Sequence, residues 1–122
     1  MPAHLINFQP RFAEAIESGA KRQTMRPPRK RAIFPGDRLR LYTGLRTAKA
    51  RLLREVECRN IQTVELGITG ATITDFSRRI ILSIEANDTL AKSDGFGSYG
   101  EMLDWFESRY GKPPFHLEII AW

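Results

Sequence analysis

Two kinds of hydrophobic spacing alternate along the chain, and together they predict a mixed α+β domain. In the segment PRFAEAIES, residues 10–18, Phe12 and Ile16 lie one helical turn apart and a glycine follows, so a short helix is expected there. Leucines alternate with arginine or tyrosine in RLRLYTG, directly after a turn at 35–37, and this alternation predicts a half-buried strand.

Three further segments predict strands. Residues 47–66 are typical of one long bent strand or two successive strands, with Leu52 facing inward and Lys49 facing solvent. RIILSIEA, residues 79–86, predicts another strand, and PPFHLEIIAW predicts the last one, with every second residue from Phe115 on one side. About five strands in one small domain favour a compact twisted sheet or barrel.

A second helix is predicted late in the chain. Ser98 and Glu101 form an S-x-x-E capping box, a reciprocal arrangement that begins many helices. The helix is expected to run through Tyr110, with Met102 and Phe106 on its inner face and a glycine after it. Before the capping box, an Asp-Gly step in NDTLAKSDGFG predicts a turn.

Length and composition indicate one ordered domain over residues 1–122. Hydrophobic residues make up 42% of the chain, enough for a core without disulfides or metals. The single cysteine, Cys58, excludes an internal disulfide and forms no metal-ligand spacing with the two histidines. We therefore expect an inert buried thiol and no metal or cofactor. No segment approaches the roughly 18 apolar residues of a membrane span, and a cytoplasmic protein is expected.

Positive charge is concentrated in one part of the chain. Residues 21–54 hold twelve Lys or Arg against one acid, Asp37, whereas the rest of the chain holds seven basic and thirteen acidic residues. The formal net charge of +5 hides this asymmetry. Segregation by sign is typical of a protein that binds a polyanion, most simply nucleic acid, and a solvated basic face is the alternative.

Three stretches, in this order, resemble the ASCH domain, a branch of the PUA-like superfamily. They are FQPRFAEAIESGAKRQTMR from Phe8 to Arg26, GDRLRLYTG, and DGFGSYGEMLDWFESRYGKPPF from Asp94 to Phe115. Together they cover most of the chain. The resemblance implies an α+β fold with a small mixed β-barrel of about five to six strands, flanked by two or more helices. It also implies a cleft that recognises RNA or a modified cytidine nucleoside.

Small ASCH proteins similar to this chain are amidohydrolases that remove the acyl group from N4-acetylcytidine and related N4-acylcytosines. The resemblance implies a catalytic Lys and Thr in a K-x-x-T step after the first helix, and an acid shortly before the late helix. Lys21 and Thr24 occupy the first two positions. Asp94 occupies the third, where the family carries Glu. The implied catalytic set is therefore Lys21, Thr24 and Asp94.

Amide hydrolysis needs a nucleophile, a base and a group that stabilises the oxyanion. Thr24 can attack only if a neighbour accepts its proton, and Lys21 can accept it only when its pKa falls well below about 10.4. Residues three apart in a regular strand point to opposite faces, so the two side chains converge only if the backbone bends after Gly19. Otherwise Lys21 is one more phosphate contact and Thr24 an ordinary strand residue.

The Lys- and Arg-rich loop around Pro27 and Pro28, and a later turn in YTGLRTAK, supply the predicted RNA or substrate contacts. Two prolines stiffen the loop and keep its cations in solvent, as phosphate contacts require. Tyr42 is either a core aromatic or, together with the guanidinium of Arg46, a sandwich for a base. Trp105 and Trp122 continue apolar patterns and are assigned to the core. The predicted binding residues are Arg26, Arg29, Lys30, Arg31, Tyr42, Arg46 and Lys49.

Two other functions are compatible with the same residues. A non-enzymatic RNA-binding module is favoured by Asp94, whose side chain is one methylene shorter than the family's Glu. A ribonuclease that uses Lys21 or Lys49 with Tyr42 on the phosphodiester is third, because this set of residues lacks the paired histidines often used in acid/base cleavage of RNA. The natural substrate, the choice between nucleoside and polymer, and the oligomeric state stay open.

Overall fold

The computed structural model describes residues 3–75 and 77–122, and these form a mixed α+β arrangement of eight strands and three α-helices. In chain order the elements are β1 (Ala3–Phe8), a 3-10 turn (Pro10–Phe12), α1 (Ala13–Ser18), β2 (Gln23–Arg26), β3 (Arg38–Thr43), β4 (Arg51–Glu57), β5 (Asn60–Leu66), β6 (Ala71–Asp75), β7 (Arg78–Ile81), α2 (Ile84–Ser93), α3 (Tyr99–Tyr110) and β8 (Phe115–Ala121).

The strands form two open sheets. In the smaller sheet, β3 lies in the middle, with β1 parallel to it on one side and β4 antiparallel on the other. The larger sheet has the order β2-β8-β5-β6-β7, and all its neighbours are antiparallel. The α+β class predicted from the sequence is confirmed. The strands of the described residues do not close into the expected barrel, because β1, β4, β2 and β7 each keep a free edge.

One cluster of buried apolar side chains joins both sheets and all three α-helices. Phe12 and Ile16 are buried in it, as the helical spacing predicts. Trp122 is also buried, and its ring meets Phe8 edge to face at 6.1 Å between centroids. Cys58 is fully buried, as expected. In the part of the chain that the structure describes, no helix is long and apolar enough to cross a membrane.

The late helix begins where the capping signal predicts it. The Ser98 hydroxyl oxygen accepts a hydrogen bond from the backbone N–H of Glu101 at 3.2 Å. The return bond differs from the expected box, because the Glu101 carboxylate accepts from the N–H of Gly97 rather than from that of Ser98. Met102 and Phe106 are buried on the inner face, as predicted.

The strand predicted over residues 79–86 is half wrong. Its first part lies in β7, but α2 begins at Ile84. The Ser83 hydroxyl oxygen caps this helix by accepting from the N–H of Ala86 at 3.1 Å. The alternation of apolar residues in β7 therefore continues past the start of α2. The Ser83 cap, and not the alternation, determines that the residues after it are helical. The strand β1 is not among the predicted strands either.

The inward face of β4 is the reverse of the prediction. Leu52 is 46% exposed, whereas Leu53 is 8% exposed and belongs to the core. The pairing of β3 with β4 carries an irregularity between Leu41 and Tyr42, and a shift of one residue exchanges the two faces of a strand. The alternative of two successive strands over residues 47–66 is confirmed, as β4 and β5.

Candidate active site

A narrow cleft, here called the inner cleft, lies where the segment after α1, the end of α2 and the helix α3 meet. It is lined by Gln9, Phe12, Lys21, Thr24, Met25, Arg26, Asp94, Phe96, Trp105, Arg109 and Tyr110. Its volume is about 60 Å³. One water needs roughly 10–15 Å³ on this measure, so the cleft has room for a group of a few heavy atoms such as an acylamide.

The backbone reverses between α1 and β2 and directs Lys21 into the inner cleft. Gly19 ends α1 with a φ of 85°, a left-handed conformation that glycine adopts without strain. The backbone N–H of Lys21 then donates to the carbonyl of Ala15, at 2.9 Å, and fixes the start of the next segment on the helix. Because Lys21 precedes β2, strand alternation does not separate it from Thr24, and the required bend is present.

Thr24 enters the same cleft from β2. This strand pairs with β8, where Thr24 lies opposite Ile120. The Nε–H of Arg26 donates to the Thr24 hydroxyl oxygen at 3.2 Å, and the Arg26 Nη2 donates to the carbonyl of Asn7 at 2.5 Å. The guanidinium is thus held between β1 and the threonine, and it points one donor at the oxygen that would act as nucleophile.

Asp94 lies in the cleft at the C-terminal end of α2, the helix whose first residues the apolar alternation predicts as a continuing strand. Its backbone N–H donates to the carbonyls of Leu90 and Ala91 at the end of that helix. Gly95 follows with a φ of 97°, and a Cβ there would lie 2.9 Å from the ring of Phe12. The predicted Asp-Gly turn is confirmed, and only glycine fits its second position.

Lys21 and Asp94 form a buried pair. The Lys21 Nζ donates to the main-chain carbonyl of Asp94 at 2.5 Å and lies 3.3 Å from its Oδ1. A carboxylate one methylene shorter than Glu therefore still reaches the amine. Within residues 3–75 and 77–122, Oδ1 has no well-aligned hydrogen-bond partner. The rings of Phe12 and Phe8 lie 5.1 and 5.9 Å from the Nζ, so the amine sits against apolar surface.

Burial moves the pKa values of this pair toward each other. Desolvation lowers the pKa of Lys21, and the negative charge of Asp94 only partly opposes that shift. Desolvation also raises the pKa of Asp94 to about 6, against the opposing charge of Lys21. The pKa of Arg26 falls to about 10 through burial, so its guanidinium stays charged at neutral pH. The site combines a weakened cation, a weakened acid and a fixed positive charge.

The late helix contributes residues that the sequence patterns did not assign to a site. Trp105 is half-buried and lines the inner cleft instead of lying wholly in the core, and the Arg109 guanidinium lies 4.8 Å from the centre of its ring. The two residues are one helical turn apart. Since Met102 and Phe106 fix the inner face of α3, the i, i+4 spacing of Trp105 and Arg109 is the signal that places them together.

The predicted binding residues separate into two groups. Arg26, Arg29 and Arg46 line a second cleft of about 380 Å³, here called the outer cleft. The remaining four line neither the inner nor the outer cleft: Lys30, Arg31 and Lys49 are exposed and Tyr42 is half-buried. The sandwich of Tyr42 with Arg46 stays a prediction.

Comparisons with known proteins identify no relative of this chain. No protein-family model, curated protein or solved structure matches this chain. Among the described residues, no group of three or more His, Cys, Asp and Glu side chains is placed to hold a metal ion. The resemblance to the ASCH domain stays a prediction that rests on three sequence stretches, and the site must be judged by its geometry.

Proposed function

We propose that this chain is an ASCH-type amidohydrolase that removes the acyl group from N4-acetylcytidine-type substrates. The observation that carries the proposal is the convergence of Lys21, Thr24 and Asp94, which are 3%, 4% and 4% exposed, in one cleft. Residues that only bind phosphate are best placed in solvent, whereas buried groups with shifted pKa values suit proton transfer. The proposal includes the PUA-like relationship, with two open sheets in place of one closed barrel.

In the first step, the neutral amine of Lys21 takes the hydroxyl proton of Thr24 while Oγ1 forms a bond to the acyl carbon. The carbonyl electron pair moves onto its oxygen and gives a tetrahedral oxyanion. Two guanidinium groups line the cleft, those of Arg26 and Arg109, and their positive charge stabilises the oxyanion. The hydrogen bond from Arg26 to Oγ1 also stabilises the threonine oxygen as its proton leaves.

In the second step, the oxyanion re-forms the carbonyl and the bond to N4 breaks. The Lys21 ammonium gives its proton to N4, so that cytidine leaves and an ester remains on Thr24. A water molecule then attacks the ester and gives a proton to Lys21, which returns it to Oγ1 as the carboxylic acid leaves. Asp94 holds the amine through its carbonyl and stabilises the ammonium through its carboxylate.

The shape of the inner cleft fits the acyl end of such a substrate. Its volume of about 60 Å³ accepts the amide but not a whole nucleoside, so the base lies toward the mouth. Among the side chains that line the cleft, the half-buried Trp105 and the exposed Tyr110 offer flat apolar surface to a pyrimidine. An ultraviolet assay with N4-acetylcytidine, with chromatographic detection of cytidine, tests the activity directly. No cytidine release at micromolar enzyme would overturn the proposal.

The rate of hydrolysis should fall as the pH drops through about 6. Asp94 has a raised pKa of about 6, and its protonation removes the negative charge that stabilises the Lys21 ammonium during the reaction. A pH profile of kcat/KM should therefore show an acid limb near that value. Asp94→Asn should move the limb, because protonation of the Lys21 base then sets it alone, and Asp104→Asn on the exposed face of α3 should leave it in place. An unchanged limb in Asp94→Asn would contradict this assignment.

A non-catalytic RNA-binding module is the second candidate, and the arginines of the outer cleft favour it. In this case binding of single-stranded RNA should weaken steeply with salt, by about 0.7 in the slope of log K against log salt for each phosphate contact. Replacing Arg29, Lys30 and Arg31 together with alanine should flatten that slope, as measured by fluorescence anisotropy. Equal affinity at low and high salt would remove RNA binding as a function.

A further inference from the structure

The outer cleft adjoins the inner cleft. Arg26 and Tyr110 line both, so a ligand whose reacting end lies in the inner cleft passes these two side chains as it leaves. The outer cleft is lined by Leu5, Ile6, Asn7, Arg26, Pro27, Arg29, Leu45, Arg46 and Tyr110, and its volume is about 380 Å³. Its volume is therefore about six times that of the inner cleft.

Two of its arginines are fixed on the edge strand β1. The Arg26 Nη2 donates to the carbonyl of Asn7 at 2.5 Å, and the Arg29 Nη2 donates to the carbonyl of Leu5 at 2.9 Å. These carbonyls are two residues apart and therefore lie on the same side of the strand. Because a guanidinium has five N–H donors, each arginine keeps donors for a ligand after its anchoring bond is made.

The third arginine is presented by a turn that is tied to the same strand. Arg46 has a φ of 66°, an uncommon conformation for a residue with a side chain. The neighbouring N–H of Leu45 donates to the Asn7 side-chain oxygen at 2.9 Å, and the N–H of Thr47 donates to the carbonyl of Gly44. Hydrogen bonds thus hold the backbone on both sides of the strained residue, a situation found at ligand sites.

The charges of the outer cleft are uncompensated. Its lining contains three guanidinium groups and no carboxylate. Within the described part of the chain, none of Arg26, Arg29 and Arg46 forms an ion pair. Arginine side chains held in fixed orientations match the oxygen geometry of a phosphate, with paired hydrogen bonds to two oxygens. The cleft is therefore built for an anion of this class.

We infer that the outer cleft binds the phosphate of a cytidine nucleotide, so that the preferred substrate carries a phosphate as well as the N4-acyl group. This inference rests on the proposed function, because the acyl group is taken to lie in the inner cleft and the base at its mouth. The ribose then lies beside Arg26 and Tyr110, and the phosphate meets Arg29 and Arg46. A mononucleotide and an RNA chain both supply this group.

Binding of product nucleotides tests the phosphate site without catalysis. Isothermal titration calorimetry should show cytidine 5′-monophosphate or cytidine 3′-monophosphate binding at least about tenfold more tightly than cytidine, equivalent to about 1.4 kcal/mol. Arg29→Ala combined with Arg46→Ala should bring the ratio close to one. Arg78→Ala removes an exposed charge from β7, four strands and about 19 Å from β2, and should leave the ratio unchanged. Equal affinity for cytidine and both monophosphates would overturn the inference.

Hydrolysis of three substrates separates this inference from the proposed function and identifies the source of the phosphate. The substrates are N4-acetylcytidine, its monophosphates, and a short RNA oligonucleotide that contains it. A kcat/KM about tenfold higher on a monophosphate supports the inference, and a still higher value on the oligonucleotide assigns the phosphate to RNA. Hydrolysis at equal kcat/KM on all three overturns the inference alone. No hydrolysis together with tighter nucleotide binding overturns the proposed function alone.

Discussion

Thr24→Ala and Lys21→Ala should each reduce N4-acetylcytidine hydrolysis by about 10³-fold or more, because a positioned base alone commonly contributes about 10²–10⁴-fold. The double variant should be no slower than either single variant, since residues that act as one unit lose their effects together. Steady-state and single-turnover rates of purified variants, measured with the ultraviolet assay, check both statements. Thr24→Ser keeps a hydroxyl and should retain part of the activity.

Thr63→Ala is the matched control for this experiment. Thr63 lies exposed on β5, away from the inner cleft, and its loss should leave the rate within a factor of about two of the wild type. Hydrolysis that persists in Lys21→Ala and Thr24→Ala while RNA affinity falls would show that the K-x-x-T step is a phosphate-binding element. Asp94→Glu introduces the acid found in the ASCH amidohydrolases that the sequence resembles, and it should preserve or raise the rate. If Asp94→Glu hydrolysed the substrate and the wild type did not, the natural protein would be a binding module.

Removing both charges of the buried pair should stabilise the fold while it abolishes activity. Asp94 has a folded pKa of about 6, above its ordinary value of 3.8, so its stabilising contribution is complete below 3.8 and is lost as the pH rises through about 6. Lys21 has a folded pKa below 10.5, so its contribution is present above that value and is lost as the pH falls through the lowered pKa. Near neutral pH both groups therefore lower the free energy of unfolding.

Lys21→Met combined with Asp94→Leu should raise the free energy of unfolding at pH 7 by about 1–4 kcal/mol, the gain seen when buried ion pairs are replaced by apolar residues. Lys21→Met alone should be less stable than the double variant, because it leaves a buried carboxylate without its cation. Urea unfolding gives the comparison, provided that the slope of free energy against denaturant is unchanged. A double variant less stable than the wild type would show that the pair stabilises the fold.

Local signals predicted the helices that begin or end on strong caps. Gly19 ends α1 and Ser98 begins α3, and both act within one helical turn, so the sequence alone reveals them. The helix α2 also has a capping serine, Ser83, but the apolar run before it mimics a continuing strand. The inner face of β4 depends on an irregularity in its pairing with β3, between Leu41 and Tyr42 of that neighbouring strand, which no local pattern in β4 records.

The candidate site could be predicted only in part. Lys21 and Thr24 lie close in sequence, but Asp94 is 73 residues from Lys21, and only the resemblance linked it to them. Burial of the pair depends on Phe12 and Phe8 packing around the amine, a tertiary contact that spacing does not encode. The apolar spacing of α3 is the same whether Trp105 lies in the core or lines a cleft, so the sequence does not distinguish these two positions.

The contact between the Lys21 amine and the main-chain carbonyl of Asp94 separates two properties of a base. Where the amine lies is set by a backbone atom, which every amino acid supplies at position 94. How tightly the amine holds its proton depends first on burial, which lowers the pKa of Lys21, and then on the carboxylate, which opposes that shift and belongs to the side chain alone. Natural selection could therefore exchange one acid for another at this position and retune the base, while the amine stayed where the chemistry needs it.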